Sequence, residues 1–482
     1  MKIEFVCDLA GNPSPLPHFW KYCVGSDHAT VALRADWQQQ LRRCHDELGF
    51  ERVRFHGLLS DDVGTLVREK DELVYSFFNA DQIFDFLISI GMHPFVELSF
   101  MPTALASAGK TIFHYHANVT PPKDYKQWAA LIKKLVRHWL DRYGINEVAR
   151  WNFEVWNEPN LHNFWTGTQR GYFKLYRYTA EAIKSVDSSL RVGGPATAKN
   201  EWIDEFRIFC ERNKVPVDFI STHHYPTDAF GKPDDDTETQ LSKSRRGALR
   251  DQALDARRNA GELPLYYTEW NSSSNPFDTL RDQPYASAFV VKSILDVAGV
   301  VDAYSFWTFS DIFEENYFSS TPFHGGFGLL NVHGIAKPTY RAFQLLHRLG
   351  TKQLLVDGLH ETVNVWVIRN DDKLCVLMTN HGLPGHSIES ERISLRLLNA
   401  SKPRAAWIKR VDEDHANPQR AWREMGAPDY LSDEEFGRLM AASELARKQQ
   451  RFRYKDSTIS FEINLPPHSV AAVEFEFAEP VA

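Results

Sequence analysis

The stretch Trp151-Asn-Phe-Glu-Val-Trp-Asn-Glu-Pro159 decides the fold. Phe153, Val155 and Trp156 supply the bulk that favours an extended strand, and Pro159, with no N–H to donate, ends the pairing. Period-two alternation puts Glu154, Trp156 and Glu158 on one side and Phe153, Val155 and Asn157 on the other. Glu158 therefore stands where a strand stops and a loop begins. The pattern returns in Leu265-Tyr-Tyr-Thr-Glu-Trp-Asn271, where a second strand ends in Glu269. Two glutamates at the ends of two strands point to paired carboxylate chemistry.

Outward from these two stretches, short apolar runs alternate with longer amphipathic ones. Strands are expected at 20–24, 53–56, 94–98, 152–156, 190–193, 218–222, 265–269 and 303–308. Between them helical spacing runs over 36–48, 80–90, 124–143, 171–186 and 285–298, and Gly49, Gly91, Gly144 and Gly299 stand just past the last apolar position of four of these. Alternating β and α with about eight strands predicts an α/β fold, a (β/α)8 TIM barrel over 15–350. A doubly wound open sheet is the alternative, and the missing G-x-G-x-x-G after the first strand counts against it. Residues 226–246 break the rhythm as a polar loop after the sixth strand, at the end of the barrel where function is carried.

After Gly350 the texture changes to short alternating strands at 364–369, 374–378, 392–397, 405–410, 458–463 and 470–477, the signature of a C-terminal antiparallel β-sandwich. That second domain is expected over 351–482, joined by residues 1–14, whose 2–9 segment reads as a strand returning to it. A capping box, Ser432-Asp-Glu-Glu435, opens a helical insertion near 430–450, read as a helix to about residue 449.

Composition narrows the chemistry. Of 482 residues, 43% are hydrophobic and 24% charged, the balance of a globular protein large enough for two cores. A net charge of −8 and an isoelectric point near 6.2 argue against nucleic acid or an anionic membrane as partner. Five scattered cysteines without a C-x-x-C pair suit free thiols in a reducing compartment. Met1-Lys-Ile-Glu-Phe has an early acid and no apolar run, so no signal peptide is read, and no stretch approaches membrane-spanning length. A cytoplasmic location is the expectation. The chain ends almost immediately after its last strand, which argues for a monomer.

Hydrolysis of a glycosidic bond needs a proton for the leaving oxygen and a group to meet the oxocarbenium-like carbon, and two carboxyl groups do both jobs. Counted along the chain, Glu158 ends the fourth strand and Glu269 the seventh, so both face one mouth. Trp156-Asn-Glu-Pro159 and Thr268-Glu-Trp270 on a barrel resemble the clan of retaining glycosidases with catalytic glutamates on strands four and seven. Within it the chain resembles glycoside hydrolase family thirty-nine, the β-xylosidases and α-L-iduronidases, and a barrel with an appended β-sandwich is that family's arrangement.

The resemblance implies that Glu158 is the general acid/base and Glu269 the nucleophile, with Asn157 on the sugar 2-hydroxyl. The two carboxyls should then lie about 5–5.5 Å apart, with an ionised Glu269 raising the pKa of Glu158. Arg54 and His56 end the second strand. The resemblance places the arginine near the nucleophile and the histidine on ring hydroxyls, while an Arg54 bridge to Glu154 is the structural alternative. His223 and Tyr225 follow the sixth strand, where the clan has a tyrosine or histidine on the nucleophile. Adjacent histidines His223 and His224 point to opposite faces of a strand, and no carboxylate completes a ligand set nearby, so no metal is expected. Trp307, after the eighth strand, matches the tryptophan that floors the sugar subsite. Glu314 and Glu315 resemble the acidic pair that binds outer hydroxyls, and which of them faces inward stays open. Phe164 walls the cleft or simply packs.

The function expected is a retaining exo-β-D-xylosidase acting on xylo-oligosaccharides without a cofactor. α-L-Arabinosidase and α-L-iduronidase activities are the rivals within the resemblance; against the latter stand the acids of the eighth loop and the negative net charge. A catalytically silent sugar-binding barrel is the rival outside it, and it predicts that one glutamate is missing.

Overall fold

The computed structural model describes residues 3–228, 230–232, 234–316, 319–370 and 373–477. Eight parallel strands close into a barrel: β1 (Val24–His28), β2 (Arg52–His56), β3 (His93–Leu98), β4 (Asn152–Val155), β5 (Arg191–Thr197), β6 (Phe219–His224), β7 (Leu265–Trp270) and β8 (Ala303–Phe306). β8 pairs with β1, Phe306 opposite Val24, which leaves the barrel no open edge. Helices on the outside bury the outer face, so most strand positions are buried, polar ones included.

The helix Tyr125–Tyr143 shows how the sequence does this. Trp128, Leu131, Ile132, Leu135, Val136 and Trp139 recur at three- and four-residue spacing and are all buried. Each such side chain contributes about 1.5–3 kcal/mol relative to exposure. Asp124 caps its start by accepting from Lys126 N at 2.8 Å, and Gly144 ends it at φ 77°, a left-handed conformation that a Cβ would oppose.

The first strand is displaced from its expected place. A strand is expected at 20–24, yet Phe19–Lys21 is a 3-10 turn and the strand begins at Val24. Its polar members Ser26, Asp27 and His28 hid it from an apolarity argument. They are buried because they find partners: Trp37 Nε1 donates to Ser26 Oγ at 2.9 Å, and His28 Nδ1 lies 3.1 Å from Asp27 Oδ2.

Beyond the barrel lie a five-stranded and a seven-stranded sheet. Phe5, Leu395 and Phe461 of the first share one hydrophobic cluster with Val367, Val376 and Val473 of the second. The alternate residues Trp366, Ile368, Cys375 and Leu377 of the seven-stranded sheet join the barrel core instead, so the two-residue period of one sheet serves two cores. Lys2 lies outside the described residues; the strand expected there runs Ile3–Asp8 and pairs parallel with Glu391–Leu398, so the five-stranded sheet is not purely antiparallel. No hairpin constrains that strand, because the whole barrel lies between it and its neighbour in sequence. The capping box at Ser432 forms, but its helix stops at Ala442, and Lys448–Gln449 pairs instead with Trp407 and Ile408. A second helix, Pro418–Glu424, precedes it. Among the described residues no helix is long and apolar enough to cross a membrane.

Candidate active site

The C-terminal ends of the barrel strands surround a cleft of about 570 Å3, lined among others by His56, Asn157, Glu158, Glu269, Trp307 and Glu315. A turn in the backbone, rather than the pleat, aims Glu158 into it. β4 ends at Val155, and the alternation expected through Glu158 stops there, because Trp156 and Glu158 take left-handed φ angles of 72° and 42°. Trp156 swings into the aromatic layer outside the barrel, donating Nε1 to Phe164 O at 2.8 Å and packing on Trp165 and Trp128. Glu158 swings to the cleft, its N–H donating to Ala196 O at 2.8 Å.

On β7 a register shift does similar work. The pairing with β8 slips between Tyr267 and Trp270, and the consecutive residues Thr268 and Glu269 both reach interior partners. One carboxylate oxygen of Glu158, one of Glu269 and a ring nitrogen of His223 all lie within 4.8 Å of one another.

Glu269 accepts a hydrogen bond at Oε1 from the Tyr225 hydroxyl. Its Oε2 is 3.7 Å from Arg54 Nη1 and 3.6 Å from His223 Nδ1. Arg54 is fully buried and is gripped by three more groups: Nε donates to Glu154 Oε2 at 2.6 Å, and Nη2 reaches Asn157 Oδ1 at 2.9 Å and Glu97 Oε2 at 2.8 Å. Both expectations for Arg54 therefore hold together, since it bridges to Glu154 and also stands beside Glu269. Asn157 lines the cleft with its oxygen fixed by that same arginine.

Burial pushes Glu158 up to about 7 and raises Glu269 as well. For Glu158 the largest cause is burial, opposed by His56 and Arg54, with Glu97 adding to it. The expected source, an ionised Glu269, does not lead. Buried beneath the loops, the carboxyl resists charge before any neighbour acts. His223, also buried, is pushed down to about 4 and is neutral at ordinary pH.

At the other end of the cleft Glu315 faces inward, with Oε1 3.5 Å from His56 Nε2. Glu314 turns to the rim, 3.6 Å from Arg34 Nη1, while its N–H donates to Asp27 Oδ2 at 2.6 Å. His56 lies 4.8 Å from the Trp307 ring, centroid to centroid, and Trp307 lines the cleft. Phe164 both lines the cleft and packs on Phe100 and Phe113.

Sequence reasoning missed Glu97, whose carboxylate holds both Arg54 and His56, the latter at 2.7 Å. Its signal was present: a charged residue inside the apolar run of β3. It also missed Asp228, which accepts from Tyr225 N at 2.7 Å, lines the cleft and is pushed up to about 7 by burial. No local pattern marks it within its polar loop.

The case against a metal needs correcting in its premise. His224 does point outward, to Tyr304 and the Tyr267 ring, but His223 stands between two carboxylates that together with it could offer three ligand atoms. What opposes a dication there is charge: the buried Arg54 guanidinium already lies beside Glu269. The arrangement is one protonatable carboxyl and one cation-flanked carboxyl across a cleft, the equipment for acid–base and nucleophilic work at a single carbon.

Comparison with known proteins places nearly the whole chain beside one family. The sequence model of glycosyl hydrolases family 39 matches residues 1–457. A β-xylosidase of Caldicellulosiruptor saccharolyticus is 50% identical over 461 residues, covering 94% of each chain. Among solved structures, a GH39 enzyme from Xanthomonas axonopodis pv. citri superposes with a TM-score of 0.88 at 31% identity, covering 99% of this chain and 98% of its own. A monomeric β-xylosidase from Caulobacter crescentus CB15 does so with a TM-score of 0.86 at 32% identity, covering 99% and 100%.

Proposed function

The chain belongs to glycosyl hydrolases family 39, and from that membership we propose that it is a retaining exo-β-D-xylosidase that removes xylose from the non-reducing end of short xylo-oligosaccharides. The observation that carries the reading is the approach of Glu158 and Glu269 to within 4.8 Å, oxygen to oxygen. Retaining enzymes keep their two carboxyls about 5–5.5 Å apart, whereas inverting enzymes leave about 6.5–9.5 Å for a water.

In this reading Glu269, whose charge Arg54 and the Tyr225 hydroxyl favour against the effect of burial, attacks the anomeric carbon from below. Glu158 gives its proton to the leaving oxygen. The glycosyl–enzyme ester then meets a water that Glu158, now a carboxylate, deprotonates, and the second displacement restores the β configuration. Asn157, held by Arg54, takes the 2-hydroxyl; His56 and Glu315 take the outer hydroxyls over the Trp307 floor; Phe164 walls the site and His223 pairs with Glu158. Burial pushes the inward Glu315 carboxyl well above the usual carboxylate range, so this end of the cleft offers a hydroxyl-binding group and not the cation that a uronate carboxylate calls for. A tie between loops fits exo action, since His114 N donates to Glu315 O at 3.3 Å and joins the loop after β3 to the loop after β8 beside Glu315.

The two sheets that share a cluster are read as a β-sandwich accessory domain (351–482 with 1–14) against a catalytic barrel at 15–350. The buried free cysteines support a cytoplasmic enzyme fed by imported oligosaccharides, and the monomeric relative supports a monomer.

The test is the pair of alanine variants. Glu158→Ala should keep a burst on dinitrophenyl β-xyloside, lose most activity on xylobiose, and recover turnover with azide as β-xylosyl azide. Glu269→Ala should be nearly inactive on both substrates, any azide product being the α anomer. Reversed anomers in proton NMR would reverse the roles. An aryl α-L-arabinoside or α-L-iduronide hydrolysed faster than the β-xyloside would overturn the substrate.

A further inference from the structure

The two ring nitrogens of His223 face different elements. Nε2 lies 3.2 Å from Thr268 Oγ1, and Nδ1 lies 2.9 Å from Glu158 Oε1. Thr268 has one proton to give, and it donates that proton to Glu154 Oε1 at 2.8 Å. Glu154 is committed in turn, accepting at Oε2 from Arg54 Nε at 2.6 Å; a carboxylate gripped by a guanidinium offers only acceptors. The Thr268 oxygen therefore turns a lone pair toward His223, and the ring proton belongs on Nε2. A neutral imidazole carries one N–H, so Nδ1 is left as an acceptor.

We propose that Thr268 and Glu154 are positioning residues that fix His223 as its Nε2–H tautomer, so that the Nδ1 lone pair accepts the proton of Glu158 and holds that carboxyl in its acid form. This rests on the reading of Glu158 as acid/base and adds a device that serves both half-reactions. Before the first step, a carboxylic acid that donates to Nδ1 is stabilised as the acid. In the first step that hydrogen bond breaks as the carboxyl turns its one proton to the leaving oxygen, and the carboxylate left behind faces a lone pair instead of a donor. That mismatch raises its demand for a proton and makes Glu158 a stronger base toward water. Burial, which keeps His223 neutral, and the raised pKa of Glu158 agree with the arrangement.

Other titratable groups face this chain from every side of the barrel. Arg54 and His56 come from β2, Glu97 from β3, and Glu269 from β7. Lys199 follows β5, Tyr225 and Asp228 follow β6, and Glu315 follows β8. A change at Thr268 removes none of these groups, but it does take a donor from Glu154 Oε1, so the tautomer is read directly beside the titration of Glu158.

Nitrogen-15 NMR of histidine-labelled enzyme near neutral pH reads the tautomer directly, with His223→Gln identifying the signal by its loss. The expected result is a proton on Nε2 and a bare Nδ1. In Thr268→Val the ring is freed to carry its proton on Nδ1 and donate to the Glu158 carboxylate, which lowers that pKa. The alkaline limb of the kcat/KM profile should then fall by about one pH unit, and Thr268→Ser, which keeps the hydroxyl, should restore it. A wild-type ring protonated on Nδ1 overturns the proposal without any variant having to fold, and so does an alkaline limb unmoved in Thr268→Val. If Glu158→Ala gave no β-azide, the acid/base reading would fall and the inference with it. β-Azide from that variant together with a protonated Nδ1 would overturn the inference alone.

Discussion

Tyr225→Phe removes one hydroxyl and should move one limb of the pH profile. Among the described residues that hydroxyl is the hydrogen-bond donor on Glu269; Arg54 Nη1 at 3.7 Å and His223 Nδ1 at 3.6 Å stand too far off to replace it. A hydrogen bond to a charged group is worth about 1.5–3 kcal/mol, and a tenfold change in proton affinity corresponds to about 1.36 kcal/mol. Its loss should raise the Glu269 pKa, already lifted by burial, by roughly one to two. The acidic limb of kcat/KM, which reports ionisation of the nucleophile, should climb by that amount. The alkaline limb, which reports Glu158, should stay in place, so the bell narrows from its acid side. On the acid side of the new limb, activity should drop about tenfold for each pH unit. The assay is kcat/KM on an aryl β-xyloside across the bell, with the thermal midpoint as a check on folding. An acidic limb that stays put, or an alkaline limb that moves instead, would refute the assignment of Tyr225 to the nucleophile.

Glu158→Gln should trade activity for stability in a pH-dependent way. Because burial lifts Glu158 from 4.5 to about 7, the folded state binds its proton more tightly than the unfolded chain does; its stabilising contribution is complete below about pH 4.5 and is lost as the pH rises toward 7. Glutamine never ionises, so above pH 7 the variant should be more stable than wild type by up to about 3 kcal/mol, with no gap below pH 4.5. Urea midpoints at both ends check this, and a gap independent of pH would contradict it. Lys337→Met should destabilise strongly. The buried ammonium pairs with Asp282 Oδ1 at 2.7 Å and Asp311 Oδ2 at 2.6 Å, and its removal strands two buried carboxyls at a cost of about 3–5 kcal/mol. An unchanged denaturation midpoint would show that the triad carries no such weight.

The barrel and its two glutamates were legible along the chain because their signals are local. Apolar spacing, glycine stops and a proline after a strand are read within a dozen residues, and Trp151–Pro159 together with 265–271 carried two strand ends and the carboxyls that meet there. The tertiary structure decided what depends on partners far away in sequence. β1 could not be found from apolarity, because its polar residues become acceptable only once Trp37 and neighbouring side chains surround them. Which of Glu314 and Glu315 enters the cleft turned on contacts with Arg34, Asp27 and His56, residues on other strands and loops. The proton affinity of Glu158 came first from burial, a property of the assembled loops and not of the residues beside it in the chain. The pairing of His223 with Glu158 spans 65 positions and that of Thr268 with Glu154 spans 114. A sequence names the donors and acceptors. Only closure of the barrel brings particular atoms within hydrogen-bonding distance, because direction and distance, unlike residue type, are not properties of a local stretch.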